Sequence, residues 1–445
     1  MGRACLGNHE LVWKWILLTD FGAVEVDWRS GFWSKLAMTT TTVSAHAITF
    51  VLVTVFLDMV GFGLIMPVLP ALIEDVGHMD IADAALIGGW LFFAFSLTQF
   101  LFGPMMGNLS DAFGRRPLLL LAVFGLFVDY LLMSFAPNLF WLFVGRAFAG
   151  LCGASYVIAN AYIADVTAPE ERAKAFGMVG AAFGLGFVIG PAIGGLLGEY
   201  GPRVPFMVAA AISAANLAYG YFVIPETLDA GKRRPFELIR SNPFGTFKVF
   251  QTYRSVLPLC AVMSIYFFAS SIYPAIWSFW GIAKFGWSEW LIGLSLAAFG
   301  IVTAVFQGAL TGPAVKLWGE SKTALIGLIS ACIAVVGYGF APGLLVVVLL
   351  FIIHGPEGFV HPMLTAMMSK ETPENAQGEL QGGISSIMAV TMLLGTVFFA
   401  QIFGYFLQPY APFVSPNVAF FVSGAILVVT LVLFIAVRNK HAPLR

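Results

Sequence analysis

Charge is what this chain has least of. Asp, Glu, Lys and Arg make up only 11% of its 445 residues, where soluble domains carry about a quarter. So few charges cannot clothe a water-exposed surface of this size. There is no charge excess either: the net charge is −1, which argues against nucleic acid as a partner. Cysteine is scarce, and Cys5, Cys152, Cys260 and Cys332 lie far apart, three of them in apolar runs. They supply neither a disulfide framework nor a zinc-ligand spacing, and read as buried structural thiols. No Walker-type glycine loop, Ser–His–Asp signature or metalloprotease motif is visible. ATP is therefore not expected to drive anything here, and no catalytic residue, metal or cofactor is expected.

What the chain has is apolar length. It is 59% hydrophobic, with a mean hydropathy of +0.88, so lipid must be the solvent for much of it. Apolar runs near the ~20 residues that a bilayer-crossing helix needs fall at 48–73, 84–106, 117–136, 139–163, 175–198 and 205–224. Six more fall at 254–283, 289–313, 322–341, 343–368, 378–407 and 416–437. Inside a membrane open sheet edges are excluded, so an all-α integral membrane protein is predicted. Its parts are an N-terminal extension (1–45), a six-helix bundle (46–224), a central loop (225–253), a second six-helix bundle (254–437) and a tail (438–445). The extension interleaves Trp13, Trp15, Trp28 and Trp33 with charges. It is either an amphipathic surface segment or untranslated, with Met38 as the start.

The loops fix an orientation. One set holds Arg115, Arg116, Arg172, Lys174, Lys232, Arg233, Arg234, Arg240, Lys248, Arg254, Lys316, Lys322, Lys370, Arg438, Lys440 and Arg445; the other holds Arg203 and Lys284. The basic set is expected to be cytoplasmic, with both ends of the membrane domain inside. The halves also repeat. Gly107 and Gly114 recur at the same spacing as Gly312 and Gly319, and Pro169-Glu170 recurs as Pro373-Glu374 at nearly the same offset. A duplicated six-helix unit follows, with a substrate path expected between the halves near the midplane.

Charges inside apolar spans are costly, so each needs a partner or a task. Asp58 lies in the first span and is either a proton-exchanging carboxylate or a structural one. Asp129 in the third span and Arg146 in the fourth read as an interhelical pair, either structural or part of coupling. The tenth span reads His354-Gly355-Pro356-Glu357-Gly358-Phe359-Val360-His361-Pro362. The spacing puts His354, Glu357 and His361 on one helical face, and the glycines and prolines loosen the helix there. The pair is a candidate proton site or a self-satisfied kink; no second ligand cluster supports a metal. Gln99 and Gln307 suit either ligand orientation or helix cross-linking. In the fifth span, Gly184, Gly190, Pro191 and Gly194 predict close helix approach and a bend.

Between spans two and three runs Gly107-Asn108-Leu109-Ser110-Asp111-Ala112-Phe113-Gly114-Arg115-Arg116-Pro117. It reads as a polar turn, with Pro117 at the first position of the next helix. The stretch resembles the loop signature of the major facilitator superfamily, G-x-L-x-D-x-x-G-R-R, with Ala112 where many members carry a basic residue. DMVGFGLIMPVLP from Asp58, Asp129-Tyr130-Leu131-Leu132, Phe183 to Gly195, Phe285-Gly286-Trp287 and GLSLAAFG from Gly293 resemble that superfamily's tetracycline-resistance efflux branch. The likeness covers about residues 46–437.

The resemblance implies twelve transmembrane helices in two pseudo-symmetric bundles. It also implies a drug/proton antiporter working by alternating access, driven by the proton gradient. Asp58, Asp111, Asp129, Arg115 and Arg146 fall on positions that matter in the family, the Gly184–Gly194 stretch on its antiporter-type motif, and Gln307 on its eighth-helix glutamine. The expected partners are a small-molecule substrate, protons and the bilayer; the expected state is a monomer in the inner membrane. Two positions depart from the branch: Thr303 stands where tetracycline exporters have a histidine, and Ala331 where they have an aspartate. His354 and Glu357 are expected to supply the missing ionisable function. The loop motif implies a latch in which Asp111 accepts from the start of the eleventh helix near Gly378 and pairs with Arg172. Alternatives are a carrier of another small metabolite, or a non-transporting membrane sensor.

Overall fold

The computed structural model describes residues 45–440 apart from 154, 168–170, 230, 232, 374 and 375. The tryptophan-rich extension, Met38, Pro169, Glu170, Lys232, Glu374 and Arg445 lie outside the described residues. Among the described residues eleven helices are long and apolar enough to cross a membrane, and the longest divides at Gly319 to give twelve spans: α1 (Ala45–Gly77), α2 (Ile81–Phe113), α3 (Arg115–Phe135), α4 (Leu139–Val166), α5 (Arg172–Gly198) and α6 (Val204–Val223). After a central segment come α7 (Arg254–Phe285), α8 (289–318), α9 (320–340), α10 (Leu344–Lys370), α11 (Gln377–Tyr405) and α12 (Val418–Lys440). No strand occurs among the described residues. Helices α8 and α9 follow one another between Glu289 and Phe340 with no loop between them. They are parted by Gly319, whose φ of 73° and ψ of 165° leave the helical region.

Gly319 has a counterpart. Gly114, with φ 110° and ψ 159°, divides α2 from α3 in the same way. These are the second glycines of the two loop signatures, so the repeat legible in sequence is a repeat of backbone conformation. A residue with a Cβ is strained there.

Two expectations are corrected at this point. The Gly107–Phe113 stretch is the last part of α2, not a turn, because its residues tolerate helix and only Gly114 breaks it. Pro117 is the third residue of α3, not its first; the first four N–H groups of a helix have no internal partner, so proline fits there too.

Small residues set the packing. Methyl groups on Gly186, Gly190 and Gly194 would sit 2.6, 2.6 and 2.3 Å from the carbonyl oxygens of Phe56, Val60 and Leu64. The stripe on α5 thus lies directly on the backbone of α1, as spacing by four requires. Gly184 is off this stripe, and a methyl there would meet nothing within 4 Å.

The bundles clasp each other at the end remote from the basic loops. There α5 meets α8, Gly195 lying on the Glu289 carbonyl and Gly293 on that of Pro191. Helix α2 meets α11, with Gly89 against Ala400 and Gly404 against Leu86. Gln401 donates to the Leu86 carbonyl at 3.0 Å and Gln408 to Asp83 at 2.7 Å. At the basic end the 3-10 turn Pro243–Phe247 of the central segment touches both α2 and α11, and methyls on Gly103, Gly107, Gly177, Gly180, Gly308, Gly312 and Gly378 would meet nothing within 4 Å.

Candidate functional site: a polar centre in each bundle

The tenth span folds as its composition dictates. Its helix stops at His354, tightens into a 3-10 turn over Gly355–Phe359 and resumes at Val360. This turn brings His354 and Glu357 into direct contact as a pair, both buried, at 1% and 8% exposure. Helix α7 supplies the surroundings. Ser270 donates to Glu357 Oε1 at 2.9 Å, and the Tyr273 hydroxyl lies 3.0 Å from His354 Nε2. From α9, the Tyr338 hydroxyl lies 3.1 Å from Nδ1, so both ring nitrogens have partners. The Phe299 ring lies 4.9 Å from the imidazole.

A cavity of about 180 Å³ opens against this pair, lined by Tyr266, Tyr273, Phe299, Thr303, His354, Glu357 and Gly358. It combines an apolar aromatic wall with one carboxylate and one imidazole. Thr303 shares the cavity with His354. Ala331 is wholly buried in the core of α9 and is not part of the lining.

His361 does not join the pair, contrary to the one-face expectation. The 3-10 turn takes up its five residues at a different angle from an α-helix, and His361 lies against the Phe267 ring at 5.4 Å. Gln307 sits in a π-turn, Val305–Leu310, where Gly358 approaches its backbone. Such turns frequently mark functional sites.

In the first bundle Asp58 is buried at 6% exposure. Its Oδ2 has no hydrogen-bond partner among the described residues. The Tyr130 hydroxyl packs on Gly61 one turn away. Asp129 and Arg146 form the expected interhelical ion pair, with Arg146 Nε 3.2 Å from Oδ1 and the guanidinium over the Phe95 ring at 5.5 Å. Both are buried, at 0% and 5%. Removing one partner of such a pair leaves the other uncompensated, at a cost of about 3–5 kcal/mol. Arg146→Met should therefore lower the midpoint of thermal unfolding in detergent more than Arg146→Met combined with Asp129→Asn; equal losses would show that the pair is not coupled. Gln99 cross-links helices, donating to the Gly153 carbonyl at 2.8 Å where α4 is interrupted.

The loop signature forms a network different from the expected latch. Asp111 pairs with Arg115 and not with Arg172, because an i,i+4 separation on α2–α3 brings them together. Arg115 also pairs with Asp165 at 3.0 Å. Arg172 caps α4, donating to the carbonyls of Ala164 at 3.1 Å and Thr167 at 3.3 Å. Arg116 donates to the Tyr221 carbonyl at 2.6 Å.

Sequence reasoning missed Glu226, which accepts from the Arg115 N–H at 2.9 Å and the Arg116 N–H at 3.3 Å. It places an anion at the N-terminus of α3, where the helix dipole favours it. Sequence reasoning also missed Tyr266, Ser270 and Tyr273, although their i, i+4, i+7 spacing in an apolar run was a readable signal of one polar face.

A family profile of the Major Facilitator Superfamily matches residues 51–396 and, in a second match, 259–445. The chain belongs to the Major Facilitator Superfamily. It is similar to the class C tetracycline resistance protein of Escherichia coli, with 39% identity over 81% of this chain and 90% of the relative. The class B protein of Escherichia coli is 37% identical over 80% of this chain and 88% of its own length. The solved structure of the human organic anion transporter MFSD10 (TETRAN) has the same fold, with a TM-score of 0.66 at 22% identity, covering 87% of this chain and 99% of that one. The two-bundle architecture is therefore that of a superfamily transporter, a multi-pass membrane protein.

Proposed function

We propose that this chain is a proton-coupled antiporter that exports amphipathic organic compounds across the inner membrane by alternating access. The cavity built around His354 and Glu357 carries the reading. It holds a buried carboxylate–imidazole pair against open space, and a group that must exchange both protons and a ligand needs that arrangement. The excess of Lys and Arg in the loops at the open end supports a cytoplasmic orientation for that end, and with it a conformation that collects substrate from the cytoplasm. Asp58, with a free carboxylate oxygen, is the corresponding protonatable group of the first bundle. Asp129 and Arg146 hold α3 and α4 in register, and Gln307 orients the ligand from the rim. Asp111, Arg115 and Asp165 brace the open end.

The substrate need not be tetracycline, although the relatives above are named for resistance to it. Thr303 removes an ionisable group from the cavity wall, and His354 stands on the facing wall in its place; this supports a shift of the proton site from α8 to α10. Purified protein in proteoliposomes with an internal pH-sensitive dye tests the proposal. Addition of an amphipathic drug should release protons in proportion to drug moved, with tetracycline giving a smaller signal than other drugs in the panel. Folded protein that moves drug without proton movement would overturn the antiport reading.

A further inference from the structure

The central segment lies between the two helices that part at the basic end. On the α2 side, Asn108 donates to the Glu237 carbonyl at 2.7 Å and to the Ser241 hydroxyl at 3.0 Å. The N–H of Arg234 donates to the Asp111 carbonyl at 3.1 Å, and the Phe100 and Phe244 rings meet edge to face at 5.4 Å. Asn108 and Ser241 are both buried by this contact. On the α11 side, the Thr246 and Ser386 hydroxyls lie 2.7 Å apart, and Gly383 is covered by Val249 and Phe250. The 3-10 turn Pro243–Phe247 touches both helices.

At the remote end, Gly89 and Gly404 let α2 and α11 pack on each other. At the basic end Gly383, a small residue of the same kind, is filled by the central segment instead. The segment thus occupies the place that the partner helix holds at the other end.

We propose that residues 233–253 form a strap that wedges α2 and α11 apart at the basic end and must leave its seat before that end can close. The seat is specific: a buried amide, a buried hydroxyl and a cross-helix hydroxyl pair fix it, where a passive linker would be solvated and variable in position. Rigid-body rocking of the two bundles brings α2 and α11 together at the basic end, and the strap's contacts are then exchanged for helix–helix contacts. The strap sets the resting balance between the two states, and a modification or ligand that loosens it favours closure.

The test rests on alternating access but needs no substrate, so it stands apart from the drug and proton assays. Spin labels at Phe113→Cys and Glu379→Cys, in full-length protein with its native cysteines replaced by alanine, report the separation of α2 and α11 in lipid nanodiscs. Asn108→Leu removes the strap's side-chain hydrogen bonds to α2; Thr246→Val with Ser386→Ala removes the hydroxyl pair to α11. Each variant should raise the ratio of short to long distances, by roughly fivefold for each hydrogen bond removed. Two variants on opposite helices moving the balance in the same direction would not follow from local misfolding. Distance distributions unchanged in both, or shifted by one side alone, would overturn the proposal.

Discussion

Glu357→Gln should abolish substrate-driven proton release in proteoliposomes while leaving the protein folded and able to bind substrate. The amide has the shape of the protonated acid and keeps a hydrogen bond from Ser270, which lies 2.9 Å from Oε1, but it cannot lose a proton. His354 then loses its carboxyl neighbour and retains the Tyr273 and Tyr338 hydroxyls. Without the carboxyl that carries the proton at this site, coupled transport should fall by roughly a hundredfold or more, equivalent to about 3 kcal/mol. His354→Ala should give the same loss with a weaker fold, because it also opens space beneath Phe299 and Tyr273. The decisive comparison is between binding, followed by tryptophan fluorescence, and coupling, followed by the dye. Full proton-coupled transport in the His354→Ala/Glu357→Gln double variant would move the proton site away from α10, and Asp58 would be the next group to test.

The second large effect is structural. Gly190→Val should prevent assembly of the first bundle or strip it of most of its stability. A methyl at this position alone lies 2.6 Å from the Val60 carbonyl oxygen and 2.9 Å from the Gly63 Cα. These are backbone atoms, which cannot swing aside as a side chain can. Overpacking a close-packed contact costs about 1–3 kcal/mol, and the stripe continues through Gly186 and Gly194, so a displaced α5 loses neighbouring contacts as well. Gly184→Val, only six residues away, meets nothing within 4 Å and should leave the fold intact. Monodispersity and thermal unfolding in detergent separate the two. Equal behaviour would mean that the α1–α5 contact is not the one described.

The same pair of glycines shows where sequence reasoning reached its limit. Small residues at intervals of four say that a helix is approached closely, yet spacing does not tell which turn faces the neighbour. The stripe runs through Gly186, Gly190 and Gly194 and bypasses Gly184, a distinction that depends on helix rotation. Likewise, Asp129 and Arg146 were legible as a pair, since a buried charge must find an opposite one and only these two lay in adjacent spans. Asp111 was legible as important but not as to partner. Its latch at α11 presupposes a closed basic end, and in this conformation Arg115 is the nearer cation.

Composition and run length by themselves determined that the chain is a helical membrane protein, because lipid cannot solvate an unpaired backbone and leaves helices as the solution. They also determined the repeat, since only glycine takes the positive φ that ends α2 and α8, and Gly114 and Gly319 stand in register. The 3-10 turn in α10 followed from its glycines and proline. Tertiary structure alone decided what that turn faces. Tyr273 and Tyr338 come from helices distant in sequence and meet His354 only once α7, α9 and α10 pack. It alone decided which end is open, because the two states share one sequence and differ in which ends of α2, α5, α8 and α11 are in contact. The seat of the central segment belongs to the same class: its polar composition marked a loop, and only the gap between two parted helices gave it a position.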